Sequence, residues 1–292
     1  MPELPEVETI RRGLQRRVVG KPIAAVEVRK RKLVRGSAAS FRRVLTGNEI
    51  AQVSRHGKLL IMPLADGDHV LLVHLKMTGQ LIYRQKRLVI AGGHQWPPID
   101  PEELPNKYSH IIITFADGSQ LFFNDLRQFG FMEVANHARL NDIVDAMGID
   151  PIKEHLTTDM FSDMMRKRTT SIKAALLNQS LIAGIGNIYA DEICFVARVK
   201  PTRRANSLTA KERKAIQSAT TRILEKAISH GGTTFRNYLN TEGGKGNFSE
   251  LLKVYGREGK RCSRSECRTK DAVITKIRLS GRGTHFCPSC QR

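Results

Sequence analysis

The second residue of the chain is a proline, directly after Met1. A small second residue permits removal of the initiator, which would expose a secondary amine with a pKa of roughly 8 that is appreciably neutral at pH 7. Such an amine can attack a sugar C1′ and form an iminium, as Schiff-base lysines do. Glu3 and Glu6 stand beside it, and Glu6 shares the side of Pro2 if a helix begins there. On spacing alone this is weak evidence, because prolines and acids are ordinary residues before a helix. The second chemical group lies in the tail: Cys262-x4-Cys267, nineteen residues, then Cys287-x2-Cys290. Four thiolates in two close pairs are what a tetrahedral structural Zn2+ requires, and they read better as a metal site than as disulfides. Cys194, between Ile193 and Phe195, reads instead as a small buried hydrophobe.

Other candidates each have a functional and a plain reading. Lys58 follows Gly57 and precedes the apolar run Leu59–Met62; it is placed at a strand start, within reach of a phosphate or simply solvated at a sheet edge. Gly281-Arg282-Gly283 reads as a turn that presents a cation to a phosphate. Leu181-Ile-Ala-Gly-Ile-Gly-Asn187 leads into a helix. Its glycines let the backbone approach a ligand, and the helix start with Asn187 suits a phosphate, although a plain packing turn would look the same. Met77 and Phe129 are core residues or loop tips; the neighbouring Thr78-Gly79 and Gly130 favour tips.

These groups need a scaffold. Val7, Ile10, Leu14 and Val18 recur at helical spacing, with Gly20 as a stop. Strand-like segments follow at Ile23–Val28, Ile50–Ser54, Lys58–Pro63, His69–Leu75, Gln80–Tyr83, His110–Phe115, Gln120–Asn124 and Phe129–Val134, with Asp117-Gly118 as a hairpin signal. The span Arg84–Asn106, with the only tryptophan (Trp96), reads as a long surface loop. The pattern turns helical around Ala135–Pro151. Helices are predicted at Thr158–Arg166, Ser171–Leu177, Ile188–Val196 and Ala210–Ser229, the last with a stripe of Ile216, Ala219, Ile223 and Ala227. Asn240–Phe248 is a Gly-rich loop, and strand-like alternation returns around the cysteines. The class is α+β and multidomain: a leading helix with a β-sandwich or barrel (1–135), a linker (136–151), a helical domain (152–248) and a cysteine-bearing hairpin (249–292).

Composition narrows the partners. The chain has 48 Lys and Arg against 28 Asp and Glu, a net charge of +20 that exceeds what solubility needs. A polyanion would be attracted, and released counterions would strengthen its binding. No apolar run approaches a membrane span, and the acidic start is unlike a secretory signal. The expectation is a cytoplasmic protein without a membrane partner.

Pro2-Glu-Leu-Pro-Glu-Val-Glu8 resembles the N-terminal signature of the formamidopyrimidine-DNA glycosylase family. That family is similar to the endonuclease VIII group, which favours oxidised pyrimidines and typically differs at the Leu4 position. Further motifs follow in family order: Arg55-His-Gly-Lys58, His74-Leu-Lys-Met-Thr-Gly79, Asp125-Leu-Arg-Gln-Phe-Gly130, Gly184-Ile-Gly-Asn-Ile-Tyr-Ala190, Gly231-Gly-Thr-Thr234 and Gly281-Arg-Gly-Thr-His-Phe-Cys287. The resemblance implies a catalytic β-sandwich domain, a helix–two-turns–helix DNA-binding domain and a zinc-finger hairpin, with the damaged nucleotide flipped into a cleft. It implies a bifunctional DNA glycosylase and abasic-site lyase that removes 8-oxoguanine and formamidopyrimidines from duplex DNA, then cuts the strand by β,δ-elimination.

By the same resemblance Pro2 is the Schiff-base nucleophile, Glu3 the general acid at the deoxyribose ring oxygen, Lys58 the proton donor of β-elimination and Arg282 the residue of δ-elimination, with Glu6 an additional active-site candidate. Met77, Arg127 and Phe129 fill the gap left by the flipped base. His74, Arg168, Lys173 and Asn187 match DNA-contacting positions, and Tyr108 falls where the family often carries a DNA-contacting His. Cys262, Cys267, Cys287 and Cys290 hold one zinc, although the family's first pair is usually Cys-x2-Cys. The Asn240–Phe248 loop resembles the segment that closes over the base. The expected state is a monomer, associated with the nucleoid when bound to DNA. The rival readings are an endonuclease VIII-like pyrimidine glycosylase and a non-catalytic lesion sensor on the same scaffold.

Overall fold

Glu3 caps the first helix, α1 (Leu4–Val18), in a reciprocal capping box with Glu6, and Pro5 sits in the first turn where no amide is needed. The stripe Val7, Ile10, Leu14 and Val18 is fully buried, and Gly20 (φ +70°) ends the run. The computed structural model describes residues 1–86, 88–93, 103–233, 248–268 and 271–292, with backbone alone at 88–91 and 268. The chain divides into two units, Met1–Ala146 with Ile228–Asn247, and Met147–Ala227 with Phe248–Arg292.

In the first unit, α1 is followed by β1 (Ile23–Val28), β2 (Val34–Arg35), α2 (Ala38–Leu45), β3 (Ser54–His56), β4 (Leu59–Pro63), β5 (His69–His74), β6 (Gly79–Gln85), β7 (Leu88–Gly93), β8 (Ser109–Phe115), β9 (Gln120–Asp125), β10 (Phe131–Asn136) and α3 (His137–Asp145). Among the described residues two five-stranded sheets form, ordered β1-β8-β9-β6-β7 and β2-β10-β5-β4-β3. Every pair is antiparallel except β10 with β2. One core takes the α1 stripe together with Leu60, Val73, Leu81, Ile113, Phe123 and Met132 from both sheets, so the expected helix-plus-sandwich arrangement holds. Two pairings matter for function: Gly79 opposite Asp125, and His74 opposite Phe131. They bring the ends of four strands to common loops.

Three local expectations change. The strand expected at Ile50–Ser54 is not formed; Ile50 makes isolated bridges to Val19 and Leu64, and pairing begins only at Ser54. The span Arg84–Asn106 is not loop throughout, because β7 continues the sheet beside β6 and Leu104 packs with Ile82, Ile112 and Phe122. Trp96 lies outside the described residues, as does all of the Asn240–Phe248 loop except Phe248. α2 and β2 were not anticipated.

The second unit holds α4 (Thr158–Arg166), α5 (Ile172–Leu177), α6 (Asn187–Val196), α7 (Ala210–Ser229) as far as Ala227, α8 (Ser265–Arg268), β11 (Thr275–Leu279) and β12 (Arg282–Phe286). Thr157 and Ser171 cap α4 and α5 by accepting from Met160 N and Ala174 N. Ile216, Ala219, Ile223 and Ala227 are all buried along α7. β11 and β12 are joined by Ser280 and Gly281, both at positive φ (48° and 76°), as a two-residue type I′ turn demands. Among the described residues no helix is long and apolar enough to cross a membrane.

Candidate active site and nucleic-acid interface

The amino-terminal cluster forms where α1 meets the β3–β4 turn. Pro2 is buried while Met1 is 42% exposed. Glu3 and Glu6 are almost fully buried. Glu6 Oε2 accepts from Glu3 N (2.8 Å), and Glu6 Oε1 accepts from Thr233 N (2.7 Å) and Thr233 Oγ1 (3.0 Å). Gly232 leaves room for this: a Cβ there would lie 2.6 Å from Glu6 Oε1. Glu6 therefore fastens the start of α1 to the segment after α7.

Lys58 sits on the β3–β4 turn beside Gly57 (φ +54°) and is 7% exposed, so it is no solvated edge lysine. The turn is held against α1 by a buried ion pair, Arg55 Nε to Glu8 Oε2 at 2.8 Å. Burial favours a protonated Glu8, but hydrogen bonds from Arg11 and Arg12 and the Arg55 charge outweigh it and hold the carboxyl below its usual range. The Met1 amine has a lowered pKa: burial lowers it most, Glu3 and Glu6 oppose, and Lys58 adds to the lowering. Glu3, Glu6 and Lys58 thus all act electrostatically on the amino-terminal end of the chain.

His74 ends β5. Its Nδ1 accepts from Lys76 N (3.0 Å), and its ring stacks on Phe131 at 5.8 Å. Arg35 lies 3.3 Å over the other partner of that stack, Phe131. Burial, then Lys76, Lys58 and Arg35, push His74 down to about 3. A neutral imidazole among three cations suits a phosphate ligand, which would relieve their mutual repulsion.

Met77, Arg127 and Phe129 come together on the loops after β5 and β9. Met77 is 40% and Phe129 53% exposed. Arg127 reaches Met77 Sδ (3.1 Å) with Nη1, and its guanidinium lies 4.7 Å from the Phe129 ring centre. All three are tips rather than core. Tyr108 is half-buried nearby, and its carbonyl accepts from Asp125 N (3.1 Å).

In the second unit Lys173, a position matched to DNA contact, is buried within an internal cluster. It is 1% exposed; Nζ lies 2.7 Å from Asp191 Oδ1 and donates to Gly283 O (2.9 Å) and Thr284 Oγ1 (2.8 Å). Asp191 Oδ2 accepts from His285 N (2.8 Å), and Asn187 Nδ2 donates to Gly283 O (3.1 Å). Together these groups fix the β11–β12 turn, at which Arg282 is exposed. Arg168 is exposed after α4. Asp191 escaped the sequence reading, since its partners are distant in the chain and only an acid among apolar helix residues hinted at it.

The sulfurs of Cys262, Cys267, Cys287 and Cys290 all lie within 4.8 Å of one another and are buried. Close soft donors in that number fit a single tetrahedral ion. The longer first knuckle is taken up by α8, which carries Cys267, while Arg264 before it donates to Phe195 O (2.7 Å) at the end of α6. Cys194 is fully buried as expected, and burial pushes its thiol up.

The family model described as the Formamidopyrimidine-DNA glycosylase N-terminal domain matches residues 1–132, and that of the Formamidopyrimidine-DNA glycosylase H2TH domain matches residues 147–238. Formamidopyrimidine-DNA glycosylase of Listeria monocytogenes (serotype 4b) is 41% identical, covering 100% of both chains. That of Streptococcus pneumoniae R6 is 38% identical over 100% of this chain and 99% of the relative. A crystal structure of a Lactococcus lactis Fpg mutant with Fapy-dG containing DNA aligns at a TM-score of 0.84 and 35% identity over 100% of both chains. Lactococcus lactis Fpg with abasic site containing DNA aligns at 0.84 and 35% over 99% of each.

Proposed function

Because the chain belongs to the formamidopyrimidine-DNA glycosylase family, and so is a DNA-repair glycosylase, we propose that it excises oxidised purines from duplex DNA and then cleaves the strand as a lyase, with Pro2 as nucleophile. The observation that supports this reading most is geometric: Pro2, Glu3, Glu6 and Lys58 are all buried at the start of α1 and the β3–β4 turn, so that an amine freed at Pro2 would stand among two carboxyls and a lysine. The relatives solved with Fapy-dG DNA and with abasic DNA support the substrate class.

After loss of Met1, the Pro2 lone pair attacks C1′, the C1′–N bond to the base breaks, its electron pair leaves with the base, and the proton released from the Pro2 nitrogen passes to that base. Glu3 gives a proton to the ring oxygen as the sugar opens, and the product is an iminium on C1′. The iminium acidifies C2′; loss of that proton expels the 3′-phosphate, and a second elimination expels the 5′-phosphate. Lys58 serves as the proton donor of the first elimination and Arg282 assists the second. His74 stays neutral and a hydrogen-bond donor at Nε2, because Nδ1 already accepts from Lys76 N. Zn2+, held by Cys262, Cys267, Cys287 and Cys290, would supply folding energy to the hairpin and no chemistry.

The test is borohydride trapping on an 8-oxoguanine·cytosine duplex. Protein with a free Pro2 should form the covalent adduct, and protein extended at its amino terminus should not. Full trapping by the extended protein would remove Pro2 from its role and make Lys58 the next candidate.

A further inference from the structure

Asp125, the last residue of β9, is fully buried and binds both loops that carry the exposed tips. Its Oδ1 accepts from the Thr78 hydroxyl and from Arg127 N (3.2 Å). Its Oδ2 accepts from Phe129 N (2.9 Å) and Gly130 N (2.7 Å). Thr78 Oγ1 accepts in turn from Arg127 N (2.9 Å). One carboxylate thus gathers a hydroxyl from the β5–β6 loop and three amides from the β9–β10 loop. All are neutral donors, and a buried carboxylate needs them all to replace its lost water.

The loops are held in conformations they would not choose alone. Lys76 (φ +48°) and Gln128 (φ +56°) are non-glycine residues in the left-handed region, each next to a tip residue. Such backbone persists where its surroundings over-determine it. Gly130 has no space for a side chain: a Cβ would lie 2.8 Å from Phe123 Cζ and 3.1 Å from Asp125 Oδ2. Among the described residues only five large apolar side chains are strongly exposed, and Met77 and Phe129 are two of them. Apolar tips on a fixed base are built to be covered by a partner.

We infer that Asp125 is a positioning residue that locks Met77, Arg127 and Phe129 into one preassembled wedge, and that it thereby sets discrimination for the base opposite the extruded nucleotide. This role rests on the proposed glycosylase reading. Arg127 can read an orphaned base only if its backbone is already placed, and that backbone hangs on Asp125 and Thr78.

Asp125→Asn keeps the shape but replaces one acceptor oxygen with an amine, so one of the two donor pairs meets a donor whichever way the amide turns. The experiment has two arms. Amide hydrogen exchange on the free protein should show Arg127, Phe129 and Gly130 exchanging about tenfold or more faster in the variant. Single-turnover excision of 8-oxoguanine opposite cytosine and opposite adenine should show the ratio of the two rates falling about tenfold, the size of one charge-assisted hydrogen bond. Thr78→Val, which leaves both Oδ2 bonds intact, should speed exchange at Arg127 but not at Gly130 and give a smaller fall in the ratio; it carries the test if Asp125→Asn does not fold. Unchanged exchange at these amides, or a uniform loss of rate with the ratio intact, overturns the inference. Wild-type protein that excises nothing from any duplex overturns the glycosylase reading instead, and the exchange arm then judges the anchor without DNA.

Discussion

Replacing Asp191 by asparagine should destabilise the second unit by about 3 kcal/mol. The pair it forms with Lys173 is desolvated, the two residues being 0% and 1% exposed, and breaking a buried pair from one side typically costs about 3–5 kcal/mol. Lys173 keeps two neutral acceptors, Gly283 O and Thr284 Oγ1, which favours the lower end of that range. The asparagine oxygen can serve Lys173 or the His285 amide, but not both. At roughly 2–4 °C per kcal/mol for a chain of this class, the unit's melting transition should fall by about 6–12 °C. Scanning calorimetry supplies the measurement, repeated in low and high salt, since a buried pair is little screened and the loss should not shrink. The double variant Lys173→Met, Asp191→Leu removes both charges and should cost less than the single one. A double variant as unstable as Asp191→Asn, or a single loss below about 1 kcal/mol that vanishes in salt, would mean that the pair is not desolvated.

Glu3→Gln should lose about 10²–10⁴-fold in single-turnover excision of 8-oxoguanine while largely retaining cleavage at a preformed abasic site; equal losses on both substrates would leave Glu3 as a helix cap alone. His74, with a folded pKa of about 3 against 6.5 unfolded, binds its proton in the unfolded state first, so stability should fall as pH drops from about 6.5 towards about 3. His74→Gln should flatten that stretch of the urea-midpoint profile, and parallel profiles would refute the assignment. Elemental analysis should find one zinc per chain, and chelation or Cys287→Ser should weaken DNA binding in a fluorescence titration; active protein with no metal would end the zinc reading.

Local signals carried much of the scaffold. The α1 stripe, the four helices from Thr158 to Ser229 and the hairpin at Asp117-Gly118 stood in the periodicity and turn chemistry, because each depends on neighbours a few residues away. β7 was hidden: its apolar residues lie among cations and glycines, and only pairing with β6 makes them a strand. The metal role of the cysteines was legible in their spacing, whereas Pro2, Glu3 and Lys58 were legible as residues and took specific roles only through resemblance. Lys173 was read through the resemblance as a phosphate-contacting position; its partners in the fold, an aspartate on α6 and a carbonyl 110 residues away, could not be read because they are distant in the chain. Asp125 stood inside a quoted motif, yet its four donors appear only once Gly79 pairs with it across the sheet.

On the two loops, the residues that anchor and the residues that protrude are different ones. Thr78, Asp125 and Gly130 face inward and are buried, whereas Met77, Arg127 and Phe129 face outward. A substitution at a tip removes no core contact and no anchoring hydrogen bond, so its folding cost should stay within the roughly ±0.5 kcal/mol usual for surface changes. Selection can therefore try new tip side chains at nearly constant stability, and on the proposed wedge role preferences for the opposite base can drift between lineages without compensating change in the sandwich. The same separation makes the tips the first positions to randomise in a library aimed at altered mismatch recognition, with the three anchors held constant.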